Sequence, residues 1–137
     1  RPAYLSAVLV AAAAAVAVPA APPAPPAWAT KDLKVGIIGT DTSHVPAFTN
    51  LFNKTRPEGR LKVVAAYKGG SPDLPISADR VEKFAADIKE KHGVELVGTI
   101  DELLKKVDVV LLESVDGRPH LAQATPVLKA GKRVFID

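Results

Sequence analysis

The sequence predicts an α/β fold, a doubly wound parallel sheet, on three observations. Five short apolar runs recur between Leu33 and Ile136, segments with helical spacing or helix-boundary signals separate them, and the connections are short. Each element follows from local chemistry. Val35, Ile37 and Ile38, interleaved with Gly36 and closed by Gly39, form an apolar run ending in a turn, as a strand buried on both faces requires. Val45 to Asn53 reads as a helix with Phe48, Leu51 and Phe52 on one face, and Leu61 to Tyr67 is a second apolar strand. After a loop from Lys68 to Ile76 comes a helix from Ala78 to Lys91. There Val81, Phe84, Ala85 and Ile88 keep i, i+3, i+4, i+7 spacing and Gly93 supplies the C-cap.

Val94 to Val97 is the third strand. Thr99 and Glu102 form a T-x-x-E capping box for a short helix through Lys106, and Val109 to Leu112 is the fourth strand. A helix from His120 to Ala130 ends at Gly131, with Pro126 expected to kink it or delay its start. Val134, Phe135 and Ile136 form the fifth strand. Right-handed crossovers predict the order 3-2-1-4-5, which sets strands one and four side by side where the winding reverses. Ligands of such sheets bind beyond the carboxyl ends of those two strands. Here those ends are Gly39-Thr40-Asp41-Thr42-Ser43-His44 and Glu113-Ser114-Val115-Asp116-Gly117-Arg118-Pro119-His120, both crowded with hydroxyls, carboxylates and a His, whereas the opposite strand ends are plain.

The composition divides the chain in two, a leader at 1–29 and a domain at 30–137. Residues 1–29 carry one charge, Arg1; the other Lys and Arg of the chain's 18, and all 15 Asp and Glu, lie beyond it. That balance argues against a nucleic-acid or polybasic membrane binder, which needs a clustered cationic excess. Zero Cys excludes disulfides, thiol nucleophiles and Cys-based zinc sites within the sequence. Tyr4 to Val18 is an Ala-rich apolar run ended by Pro19 and followed by Pro22, Pro23, Pro25 and Pro26. Ala27-Trp28-Ala29 then fits a signal-peptidase site, with Thr30 as the first mature residue. A membrane span needs about 20 apolar residues, so the run reads as a cleaved export signal and not as a stable anchor. A periplasmic or extracellular location is expected. A reading frame begins with Met and this sequence begins with Arg1, so further residues are expected upstream, with a second Arg there completing a twin-arginine signal. The far end is expected to be cut as well.

Several segments together resemble the Gfo/Idh/MocA oxidoreductases. They are Lys34-Val35-Gly36-Ile37-Ile38-Gly39, His44-Val45-Pro46-Ala47-Phe48, Asp108-Val109-Val110-Leu111-Leu112, the loop reaching His120, the helix Leu121 to Ala130, and Gly131-Lys132-Arg133-Val134-Phe135-Ile136-Asp137. The resemblance covers residues 34–137, the nucleotide-binding domain of that family. It implies a Rossmann-like NAD(P)-binding fold, hydride transfer to or from a carbohydrate-like alcohol or ketone, and a substrate domain beyond this segment through which copies associate. In the family the last segment runs on into an acidic residue, a Lys and a Pro. Asp137 stands at the acidic position, and the Lys would lie beyond it.

Under that resemblance the cofactor-binding candidates are Gly39, Thr40, Asp41, Thr42, Ser43, His44, Lys68, Glu113, Ser114 and His120. One departure stands among them. A dinucleotide turn has the form G-x-G-x-x-G, and counting from Gly39 the later glycine places hold Asp41 and His44. A carboxylate at Asp41 repels a pyrophosphate unless the loop turns it away. The Thr40, Thr42 and Ser43 hydroxyls, with helix amides, still offer a phosphate-sized site, or else they simply cap the first helix. At the end of strand two, Tyr67-Lys68-Gly69-Gly70-Ser71 has no acid to hold ribose hydroxyls, and Lys68 with Ser71 favours NADP over NAD. His92, in a last helical turn, reads as structural, favouring the helix dipole. His44 and His120, with Asp41, Glu113 and Asp116, are also candidates for a metal-dependent hydrolase-like site. Arg118 can neutralise Glu113 or Asp116. The rival from another class is an exported binding or scaffolding domain that keeps the fold and has lost the cofactor.

Overall fold

The computed structural model describes Ala24 and residues 31–137. The apolar run of the expected leader and its cleavage point after Ala29 lie outside the described residues. Five parallel strands form one sheet in the order β3-β2-β1-β4-β5. They are β1 (Leu33–Ile38), β2 (Leu61–Tyr67), β3 (Glu95–Val97), β4 (Val109–Leu112) and β5 (Arg133–Ile136). The helices are α1 (His44–Asn50), α2 (Pro75–Ala78), α3 (Val81–His92), α4 (Ile100–Leu104) and α5 (His120–Lys129). The expected winding is therefore observed, with β1 and β4 adjacent.

Two apolar layers hold the sheet. On one face Val35, Ile37 and Val63 pack with Val45 of α1, Ile88 of α3 and Val94. On the other, Ile38, Val110 and Leu112 pack with Leu103 and Leu104 of α4, Val107, and Ala124 and Val127 of α5. Alternating residues of β1 and β4 thus feed opposite layers, as a two-sided sheet demands. At the open edge of the sheet, β5 leaves Phe135 and Ile136 about half exposed.

Local chemistry shifted several boundaries. The first helix is α-helical only to Asn50 and then widens into a π-type turn over Leu51–Thr55. The widened turn carries Asn53, whose amide meets both the carbonyl (2.9 Å) and the N–H (2.8 Å) of Val63 in β2. β3 pairs with β2 only from Ala65 onward, so Asn53 supplies the bonds that a longer β3 would have made. A register shift between Val35 and Gly36 against β2 lies beside the same point. The second predicted helix starts at Val81 and not at Ala78, because Pro75 opens the separate turn α2 first. The capping box is half formed: Thr99 accepts from the Glu102 amide, while the Glu102 carboxylate reaches one residue further back, to the Gly98 amide.

Pro126 does not delay α5; the helix begins at His120 and contains the proline. The missing N–H costs one ladder bond, and the end of α5 is closed by Ala130, Gly131 and Lys132 amides donating to the Pro126, Leu128 and Val127 carbonyls. Among the described residues no helix is long and apolar enough to cross a membrane.

The role of Asn53 is testable. Replacing Asn53 with Ala leaves a donor and an acceptor of Val63 unpaired and should lower the unfolding free energy by about 2 kcal/mol in urea titration. A change within about 0.5 kcal/mol would show that the strand does not depend on this side chain.

Candidate functional site

The loops that leave β1, β2 and β4 meet at one end of the sheet, and a glycine sets how closely. Gly39 has φ +86°, and a Cβ there would lie 2.3 Å from Ser114 Oγ and 2.5 Å from the Ser114 amide nitrogen. Only glycine permits this turn and this approach together. The Gly39 and Thr40 amides donate to the Tyr67 and Lys68 carbonyls at 3.0 and 2.8 Å, which continues the β1–β2 ladder past the strand ends.

Asp41 is fully buried and faces inward. Its carboxylate accepts from the Val115 amide (3.1 Å) and from Ser77 Oγ (2.5 Å). Ser77 in turn accepts from the Ser71 amide (2.7 Å), and the Ser71 hydroxyl donates to Asp116 (2.6 Å). Arg118 grips Asp116 through its side chain and amide, and spans to Asp73 with two bonds of 2.7 and 3.0 Å. The Arg118 guanidinium, with the Ser71 hydroxyl, holds the Asp116 carboxyl far below the usual carboxylate range. One chain of polar contacts, Asp41-Ser77-Ser71-Asp116-Arg118-Asp73, therefore ties the loop after β2 to those after β1 and β4. Arg118 neutralises Asp116 and not Glu113.

The ten sequence candidates separate into two groups. Gly39, Thr40, Asp41, Ser114 and His120 build the crest from within. Thr40 Oγ1 donates to the Val81 carbonyl (3.0 Å), Ser114 Oγ to Gln123 Oε1 (2.9 Å), and His120 Nε2–H to the Ser114 carbonyl (2.7 Å). The other five face solvent or lack partners. Thr42 has an enclosed hydroxyl with no hydrogen-bond partner, and Ser43, though it stands at the N-cap of α1, makes no side-chain cap. The loop hydroxyls thus do not serve as helix caps. Lys68, 42% exposed, pairs with the more exposed Glu82 at 2.6 Å, a surface pair of small energy that a stronger anion can displace. Ser71, expected beside Lys68 to favour a phosphate, is buried in the polar chain.

His44 and Glu113 are the remaining two. The His44 ring contacts Asp137 through Nδ1, and this raises its pKa. Glu113 is fully buried and neither carboxyl oxygen has a partner. Burial, reinforced by the Asp137 charge, pushes its pKa up to about 7. His92 ends α3 beside Gly93; burial, with the nearby Lys54, lowers its pKa and so works against the dipole-favouring cation expected there. Among the described residues no group of three His, Asp or Glu is placed to hold a metal ion.

The opposite strand ends are not plain. A hollow of about 800 Å³ opens there, lined by Lys31, Lys34, Lys62, Lys105, Lys106 and Lys132, with Arg60, Asp32 and Asp108. These lysines come from strand starts and helix ends far apart in sequence, so no local run signals them.

With this geometry established, comparison with known proteins gives a consistent result. No protein-family model matches the chain. Over 95 residues it is 33% identical to a glyceraldehyde-3-phosphate dehydrogenase of Pyrobaculum calidifontis, spanning 64% of this chain and 25% of that protein. Among solved structures, a dehydrogenase (MviM) from Clostridium difficile is 24% identical with a TM-score of 0.54, covering 78% of this chain and 30% of the other. UDP-N-acetylglucosamine 3-dehydrogenase GnnA from Acidithiobacillus ferrooxidans is 18% identical with a TM-score of 0.52, covering 76% and 28%. The chain thus spans less than a third of each of these dehydrogenases.

Glu113 generates a prediction on stability. The folded carboxyl holds its proton more tightly than the unfolded one, so its contribution is complete below pH 4.5 and disappears as pH rises through 7. Stability should fall over that window by about 3 kcal/mol on this account, and Glu113→Gln should remove that fall in denaturant titrations at stepped pH. Parallel profiles for the two proteins would refute the assignment. The likeness in fold and the sequence resemblance agree: the described residues form a Rossmann-like domain of the kind found in the dehydrogenases MviM and GnnA.

Proposed function

We propose that this chain is the N-terminal nucleotide-binding domain of an exported, Gfo/Idh/MocA-like NAD(P)-dependent oxidoreductase acting on a carbohydrate-like or polyol substrate. The observation that carries the reading is the inward turn of Asp41. The one residue that would repel a pyrophosphate is bonded to Val115 and Ser77, which leaves exposed Ser43 and the backbone at the start of α1 to face an anion. Lys68 stands at the end of β2, where a 2′-phosphate would sit, so NADP is favoured over NAD.

When bound, the nicotinamide would supply the hydride acceptor or donor. The chain's own residues would hold the phosphates beside Ser43, place the ribose near Lys68, and present His44 at the crest with Glu113 enclosed behind it. The carbohydrate-like substrate is supported by the likeness in fold to GnnA, a sugar-nucleotide dehydrogenase. Export is supported by the Tyr4 to Val18 run with Ala27-Trp28-Ala29, and a cofactor enzyme sent outside the cytoplasm is best loaded before transport, which favours the twin-arginine route. Copies are proposed to associate through a domain beyond this segment.

A second reading has a specific observation in its favour. Asp41, Asp73, Glu113, Asp116 and Asp137 all sit at the crest, an acidic setting for a dinucleotide, and this favours a domain that has kept the fold and lost the cofactor. Calorimetric titration with NADPH and NADH separates the two. The oxidoreductase reading predicts binding of both, with NADPH weakened about tenfold in Lys68→Glu, the loss of one charge-assisted contact. Absence of heat with NAD, NADH, NADP and NADPH, in protein free of bound nucleotide, would remove it.

A further inference from the structure

Glu113 is the costliest feature of the crest that the fold does not explain. An ionisable carboxyl is fully enclosed, both of its oxygens lack partners, and Arg118, the cation expected to neutralise it, is engaged with Asp73 and Asp116. An apolar residue at the end of β4 would stabilise the domain more.

The sheet explains what Glu113 lies beside. The last in-register pairs across the three strands are Ile38 with Leu112 and Leu112 with Ile136. The Glu113 amide donates to the Ile38 carbonyl and the Asp137 amide to the Leu112 carbonyl, so Gly39, Glu113 and Asp137 form the next row. Alternation sends Val110 and Leu112 to the α4–α5 face, and Val109 and Leu111 to the face covered by α1 and α3. Glu113 and Asp137 therefore continue on the α1 side, and His44, the first residue of α1, touches Asp137 through Nδ1. A contact from the loop after β1 to the end of β5 has to cross the end of β4, where Glu113 sits. The ring also lies 5.9 Å from Phe48, one turn along α1, which gives it an apolar neighbour on the helix side.

We infer that His44, Asp137 and Glu113 form a proton-delivery site, in which the outward Nε2 of His44 exchanges a proton with the oxygen of a carbonyl or alcohol substrate. Asp137 and Glu113 are positioning residues. Asp137 accepts from Nδ1–H, fixing the ring and its charge, and Glu113 adds or withholds a negative charge beneath them according to pH. The inference rests on the hydride-transfer reading above. In the reducing direction the carbonyl carbon takes a hydride, with its electron pair, from a reduced nicotinamide. The carbonyl π bond opens, the Nε2–H bond of the imidazolium breaks, and an O–H bond forms. Alcohol and neutral imidazole result, and solvent returns the proton. Oxidation runs the same transfers backwards.

The charged groups that bear on His44 are Asp137 from the end of β5 and Glu113 from the end of β4; the first turn of α1 contributes no acid. Both carboxylates favour the imidazolium, so His44 keeps its proton to higher pH than an isolated ring. It is 55% exposed, open to a substrate while held from behind.

The test is a histidine NMR titration of the 137-residue chain between pH 4 and 9 without nucleotide. His44 should titrate above the ordinary 6.5 and show a second inflection near 7 as Glu113 ionises. Asp137→Asn should lower the His44 midpoint toward that of an isolated ring, and Glu113→Gln should abolish the second inflection while the chemical shifts of His92 and His120 report an unchanged fold. A His44 that titrates at 6.5 in the native chain, or whose curve is the same in both variants, overturns the inference. Nucleotide titration fails or succeeds independently of these curves, so loss of the oxidoreductase reading and loss of this site are told apart.

Discussion

The crest depends on one buried carboxylate. Asp41 has no exposed surface, and the two groups that satisfy it come from different loops: the Val115 amide after β4 and the Ser77 hydroxyl after β2. Removing either partner would leave a buried charge short of a hydrogen bond, a penalty on the order of 1–3 kcal/mol. Gly39 makes the arrangement possible, because its turn brings the loop after β1 against Ser114 more closely than any side chain would allow. From these two residues follow the position of Ser71, the reach of Arg118 and the direction in which α1 starts. A residue that looks hostile to a nucleotide on sequence grounds is thus what organises the loops around the place a nucleotide would occupy.

The sheet was legible in the sequence because its determinants are local. Apolar runs such as Val109 to Leu112 and the spacing of Val81, Phe84, Ala85 and Ile88 identify strand and helix, and the handedness of crossovers then leaves little choice of order. Boundaries failed where one residue type has two uses. Pro75 opens a turn of its own ahead of α3, Asn53 serves as a strand partner from within a widened helical turn, and Pro126 is tolerated seven residues into α5.

The site was legible as a place but not as a set of contacts. Both crest loops were identified, yet Asp41 meets Ser77 across 36 residues, Ser71 meets Asp116 across 45 and His44 meets Asp137 across 93. No periodicity encodes such pairings. The same holds for the hollow at the opposite strand ends, whose lysines are gathered by the sheet from Lys31 to Lys132. With acidic loops at one end and lysines at the other, the domain carries an electrical asymmetry that its near-balanced composition conceals. Of the ten crest candidates, Gly39, Thr40, Asp41, Ser114 and His120 bond within the crest, while Ser43, His44 and Lys68 reach its surface.

Whether that crest receives a nucleotide despite its acids is the central claim, and residue-resolved mapping tests it most directly. Amide chemical shifts of the chain, followed as NADPH is added, should move at Thr42 to Val45 and at Lys68 to Ser71 while the strand starts stay still. Shifts confined to Lys34, Lys62 and Lys105 would place the nucleotide at the cationic hollow and contradict the account.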